Sequence, residues 1–211
     1  MESTILFESV VYQEEVPKYL NLDKLCDKYI EKARKDKKKF LKERKKEYGI
    51  DVGDHGVSYN SLGNLYEDPE FADFELLVRS TAKNILESQG FDMSNHELKY
   101  TEMWVQEFAD EGGGHQDTHV HWDNHISGFY FLKCTDRTSK PIFHDPRPGR
   151  MMLNLPIKDQ HKLCYGMERQ SFKIKPGTLL TFNSYLPHQF TVDDGVDPFR
   201  FIHFNIQAVL K

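Results

Sequence analysis

Cysteine is scarce in this chain: its 211 residues include three, Cys26, Cys134 and Cys164, widely spaced and odd in number. That excludes a disulfide framework and a Cys-x-x-Cys zinc site, and it points to a reducing compartment. No stretch approaches the roughly 18 apolar residues of a membrane span. The opening MESTILFESVVYQEE lacks the basic start and continuous apolar core of a signal peptide. The expectation is therefore a soluble, cytoplasmic protein with no membrane partner. Internal repeats and low-complexity tracts are also missing, which argues against a solenoid. What is present, 38 % hydrophobic and 13 % aromatic residues, is enough for a core and predicts one domain over residues 1–211.

Charge is uneven. The net charge is −5, yet residues 32–46 (KARKDKKKFLKERKK) carry ten basic and two acidic side chains. Two readings follow, a patch for nucleic acid or another anionic partner, or a solvated helix face with interleaved Glu and Lys. The second is favoured, because no aromatic platform for bases accompanies the lysines.

Residues 1–95 read as a strand and two helices. Thr4 to Tyr12 is β-branched and aromatic, as a marginal strand would be. Asn21 is placed to cap a helix whose apolar positions, Leu22, Leu25, Cys26, Tyr29, Ile30 and Ala33, keep the three-and-four spacing, with Gly49 as its stop. Asp68-Pro69 opens a second helix along Phe71, Phe74, Leu77, Val78, Ala82 and Ile85, which Gly90 ends. From residue 96 to 211 the pattern becomes short alternating runs: LKYTEMWVQEF, THVHW, ISGFYFLK, KPIFHD, RMMLNL, QSFKIK, TLLTFN, HQFTV and RFIHFNIQAVL. The fold class expected is mainly β with flanking helices (α+β), a sandwich or barrel buttressed on one face.

The chemistry concentrates in Gly112 to Leu132, GGGHQDTHVHWDNHISGFYFL. After a glycine turn, His115, Asp117, His119, His121, Asp123 and His125 share odd parity, so in an extended chain they line one face. Neutral imidazoles bind Fe(II), Zn(II) or Cu(II), and two at i and i+2 can chelate one ion. A third ligand must come from elsewhere, and His188 in TFNSYLPHQFTV is the best candidate. Arg200 opens the last strand twelve residues later; its guanidinium fork suits a carboxylate.

This order of motifs resembles the Fe(II)- and 2-oxoglutarate-dependent oxygenases, and more narrowly a compact oxygenase group near their prolyl-hydroxylase-like branch. The residues carrying the likeness are His119-Val120-His121, Ser127-Gly128-Phe129-Tyr130, Phe143-His144-Asp145-Pro146-Arg147, Gly177 to Phe182 with Ser184, His188, and Arg200 with Phe204-Asn205. The resemblance implies a double-stranded β-helix, or jelly roll, with Fe(II), 2-oxoglutarate and O2 as cofactor and co-substrates. It implies His119, His121 and His188 as metal ligands, with Asp123 as the alternative to His121, because most of the superfamily has Asp or Glu two residues after the first His. Arg200 would pair with the far carboxylate of 2-oxoglutarate. The chain departs from the family at Phe131 and Ile202, where hydroxyl-bearing residues are frequent, so Ser127, Tyr130, Gln106, Ser184 and Asn205 become candidate donors. Trp104 and Gln106 are candidates for a substrate pocket.

The implied reaction is hydroxylation of a peptidyl or small-molecule C–H bond, with succinate and CO2 as co-products. Two rivals remain: a three-histidine cupin-type dioxygenase that ignores 2-oxoglutarate, and a non-enzymatic metal-stabilised β-barrel binding module. The loops Asp51 to Glu67 and Arg147 to Met167 carry no substrate code. The second, with Arg147, Arg150, Met151, Met152, His161 and Tyr165, reads as a lid or as a homo-oligomer contact.

Overall fold

A computed structural model describes residues 2, 4, 6–16, 21–147 and 155–211. Strands β1 (Val11–Glu15), β2 (Ser58–Asn60), β3 (His96–Phe108), β5 (Ile126–Lys133), β8 (Thr178–Asn183) and β10 (Arg200–Leu210) build a six-stranded antiparallel sheet in the order β1-β8-β5-β10-β3-β2. A four-stranded antiparallel sheet runs β4-β9-β6-β7, from β4 (Gln116–His119), β6 (Pro141–His144), β7 (Arg169–Ser171) and β9 (His188–Phe190). The two sheets face one another as a jelly roll without closing into a barrel, which matches the expected class.

Parity along the strands explains the layering. Phe129 and Phe131 of β5, Leu180 and Phe182 of β8, Phe190 of β9 and Phe201 of β10 point between the sheets into a phenylalanine-rich core. The alternate residues, Tyr130, Leu132, Leu179, Ile202, Phe204 and Ile206, point outward and bury the helices. Helix α1 (Leu22–Tyr48) presents Leu22, Cys26, Ile30 and Ala33, and α2 (Ala72–Ser88) presents Phe74, Val78, Ala82, Ile85 and Leu86. The basic half of α1 is helical and largely exposed.

Several boundaries differ from expectation for local reasons. The first strand, expected at Thr4–Tyr12, is Val11–Glu15, paired with β8; residue 5 of the expected run lies outside the described residues. Asn21 adopts a left-handed conformation and makes no side-chain cap, whereas Gly49 ends α1 with φ +70° and its N–H bonded to Lys45 O. Asp68 accepts from the Glu70 amide but opens a short 3-10 turn, Pro69–Phe71, before α2 begins. The loop around residue 58 contains β2. The strand expected at RMMLNL, and lid residues Arg150, Met151 and Met152, fall almost entirely outside the described residues. Arg147 is engaged by Asp145 and by the Tyr165 hydroxyl. No helix among the described residues is long and apolar enough to cross a membrane.

Candidate metal centre

His119 closes β4 directly opposite His188, the first residue of β9. His121 sits in the turn that follows, where its N–H donates to Ser184 O at 3.0 Å. The three rings converge between the sheets, with centroids 4.5 Å (His119–His188), 5.0 Å (His119–His121) and 5.1 Å (His121–His188) apart. One nitrogen from each lies within 4.8 Å of the others.

Backbone carbonyls orient two of the rings. His119 Nδ1–H donates to Asp117 O at 2.7 Å, and His188 Nδ1–H to Leu186 O at 2.9 Å. Those bonds fix the tautomer and leave Nε2 with its lone pair exposed to the centre. His121 is held differently: its Nδ1 accepts from Asn205 Nδ2 at 3.0 Å, which puts the ring proton on Nε2, so offering Nε2 to an ion requires the proton to move to Nδ1 and that amide contact to give way. The Nε2 atoms of His121 and His188 are buried without a hydrogen-bond partner, which costs free energy unless something binds them. Burial, and then the neighbouring imidazoles, push His121 down to about 2. Burial likewise pushes His188 down to about 3, against its bond to Leu186. Both are neutral near pH 7, the form that ligates a metal.

Of the other expected residues, Ser127 and Asn205 are buried and face the centre; the Ser127 hydroxyl donates to Asn205 Oδ1 and also lies 2.7 Å from Ser184 Oγ. Gln106 is buried and accepts from Gln116 Nε2 at 2.8 Å. Trp104 lines the same wall, 4.6 Å from the His203 ring.

Three expectations are corrected. Asp123 is exposed, with φ +59°, and stands outside the donor clusters, because the chain leaves its extended conformation after His119. Tyr130 faces the helices, 5.1 Å from Phe74. Arg200 shares the parity of Ile202 and Phe204 and also turns toward the helices. There Nε donates to Glu107 Oε2 at 2.6 Å, and Nη1 to Asp27 at 2.7 Å and Asp23 at 2.9 Å. Burial opposes the guanidinium's charge, but Asp27, Glu107 and Asp23 together hold its pKa above the usual value. His115 and His125 are exposed.

Sequence reasoning missed Glu102 and His203. The carboxylate of Glu102 accepts from Asn205 Nδ2 at 2.6 Å, and the fully buried His203 has its ring centroid 4.6 Å from that of His121. Both were visible in strand parity, since His203 alternates with Asn205 and Phe201.

The fold and this site together give a jelly roll with a cluster of three histidines able to hold a metal ion between its sheets. Residues 102–205 match the family described as "Putative 2OG-Fe(II) oxygenase", which is consistent with the expected superfamily. No curated protein matches the sequence. Among solved structures the fold is similar to a Pseudomonas putida prolyl-4-hydroxylase, with 10 % identity, TM-score 0.54, 94 % of this chain and 93 % of that one covered. It is similar to AviO1 from Streptomyces viridochromogenes Tue57, with 11 % identity, TM-score 0.55 and 94 % and 90 % coverage. The epimerase SnoN, solved with Fe3+, alpha ketoglutarate and nogalamycin RO, shares 12 % identity at TM-score 0.56 over 96 % of this chain and 82 % of that one.

Proposed function

We propose that this protein is an Fe(II)- and 2-oxoglutarate-dependent hydroxylase of a peptidyl or small-molecule substrate. The observation that carries the reading is the set of three imidazoles, two of them with buried and unpartnered Nε2 atoms, converging between the sheets of this fold. His119, His121 and His188 would hold the iron, and a three-ligand site leaves coordination positions open. Bound iron would supply dioxygen activation: one oxygen atom enters the substrate C–H bond, and the other enters succinate as 2-oxoglutarate loses CO2.

The chain's own residues would orient and shield. Asp117 O and Leu186 O keep two rings fixed. The core of Phe129, Phe131, Phe190 and Phe201 keeps water from the interior. The inward-facing donors, Ser127, Ser184, Gln106, Gln116 and Asn205, are neutral, so a dicarboxylate would be gripped by hydrogen bonds from these groups and not by Arg200. Trp104 and Gln106 would form part of the substrate wall.

The position of Arg200 favours one second reading, a three-histidine dioxygenase whose organic substrate binds the metal directly. Anaerobic Fe(II) plus 2-oxoglutarate separates the two. The first reading expects a visible charge-transfer absorption and, on admitting air, slow succinate release. Iron-loaded protein that shows neither leaves only the second reading.

A further inference from the structure

Besides the three-histidine group, a second set of donors stands on the opposite wall. Glu102 of β3 and His203 of β10 belong to the six-stranded sheet, whereas His119 and His188 belong to the four-stranded one. His121, in the turn between, reaches both. One ligand atom each from Glu102, His121 and His203 lies within 4.8 Å of the other two.

His203 makes this set more than a chance cluster. It is 0 % exposed, and neither ring nitrogen meets good hydrogen-bond geometry, although the Glu102 carboxylate and the Gly128 backbone stand beside it. Its Nε2 lies 3.6 Å from Glu102 Oε1, too long for a good hydrogen bond and close to the separation of two donors on one ion. Donors about 2.0–2.2 Å from a metal sit roughly 3–4 Å apart, so small inward shifts of the three side chains would complete a site. A fully buried imidazole with such poorly placed partners is better satisfied when something binds there. Asn205 Nδ2 donates to both Glu102 and His121, so the two walls are already linked by one amide.

We propose that Glu102, His121 and His203 form a second divalent-cation position, overlapping the His119/His121/His188 position at His121. Two imidazoles and one carboxylate with open sides is the donor composition associated with non-haem iron, and it offsets part of the ion's charge, which three imidazoles do not. Because His121 is shared, the intact chain holds one ion at a time, in either position. The inference shares only His121 with the proposed iron site, and Co(II) reads it without turnover, so failure of the oxygenase reading leaves it standing.

The test is Co(II) titration of the full-length protein, followed by equilibrium dialysis and visible absorption. In His119→Ala/His188→Ala the first position loses two donors and the second keeps all three. The expected result is one Co(II) retained per chain with an altered d–d spectrum, and loss of that ion when Glu102→Gln and His203→Gln are added. A variant with native circular dichroism that binds no Co(II), or whose residual ion survives the added changes, overturns the proposal. If the alanine variant does not fold, Glu102→Gln/His203→Gln in the otherwise intact chain decides. A Co(II) spectrum shifted from the unmodified protein supports the second position, and an identical spectrum overturns it.

Discussion

Arg200 shows how one side chain's direction changes its meaning. Its guanidinium, 5 % exposed, neutralises Glu107, which is 8 % exposed, and joins β10 to α1 through Asp23 and Asp27. Removing one partner of a buried pair leaves the other charge desolvated and costs about 3–5 kcal/mol. The half-exposed aspartates contribute much less, and Glu107 keeps Arg34 at 2.8 Å, so a loss below that range, on the order of 2 kcal/mol, is expected for Arg200→Ala. Urea denaturation should show that loss while iron content stays unchanged. Weaker 2-oxoglutarate binding at unaltered stability would instead return Arg200 to the site.

At the scale of elements, the Ser127-Gly128 step in β5 shows why a motif residue is needed for packing. Gly128 faces the helices, and a Cβ there would come within 2.2 Å of Phe204 Cζ and 2.6 Å of Leu180 O. The backbone of β5 thus lies flush under the Phe204 ring of β10. Gly128→Ala must displace that ring or separate the strands, and overpacking of this kind costs about 1–3 kcal/mol. A drop in thermal midpoint with Co(II) stoichiometry unchanged is the expected outcome. Because Gly128 and Ser127 sit on opposite faces, the motif serves the helix-facing core with one residue and the metal side with the other.

For the whole molecule, the histidines couple the centre to folding. His121 and His188 keep pKa values of about 2 and 3 in the folded protein, against about 6.5 in an unfolded chain. Between those limits the unfolded state binds more protons, so stability rises with pH through that window and is lost as pH falls below about 6.5. Each group adds at most about 1.4 kcal/mol per pH unit. The metal-free protein should therefore show a steeper fall in denaturation midpoint from pH 6.5 to pH 4.5 than His188→Phe. Equal slopes would mean that the ring is already protonated in the folded state.

The helices, the strand-rich second half and the crowding of histidines able to ligate a metal were legible in the chain itself. Their signals are local: apolar spacing in α1 and α2, alternation from β3 onward, and histidines crowded after a glycine turn. The pairing of His119 with His188 followed from motif order, and the structure places them opposite one another. Side-chain direction was not legible where the backbone changes conformation. Six residues from His115 to His125 share parity only if the strand continues, and it stops at His119. Along β10, Arg200 and His203 are three apart, so only one of them can face inward. That choice depends on acids from α1 and β3 that lie far away in sequence. Composition and periodicity determined the layers and crowded the histidines; tertiary packing alone decided that Arg200 braces a helix while His203 and Glu102 face the histidine cluster, because a buried charge goes where its counter-charges are.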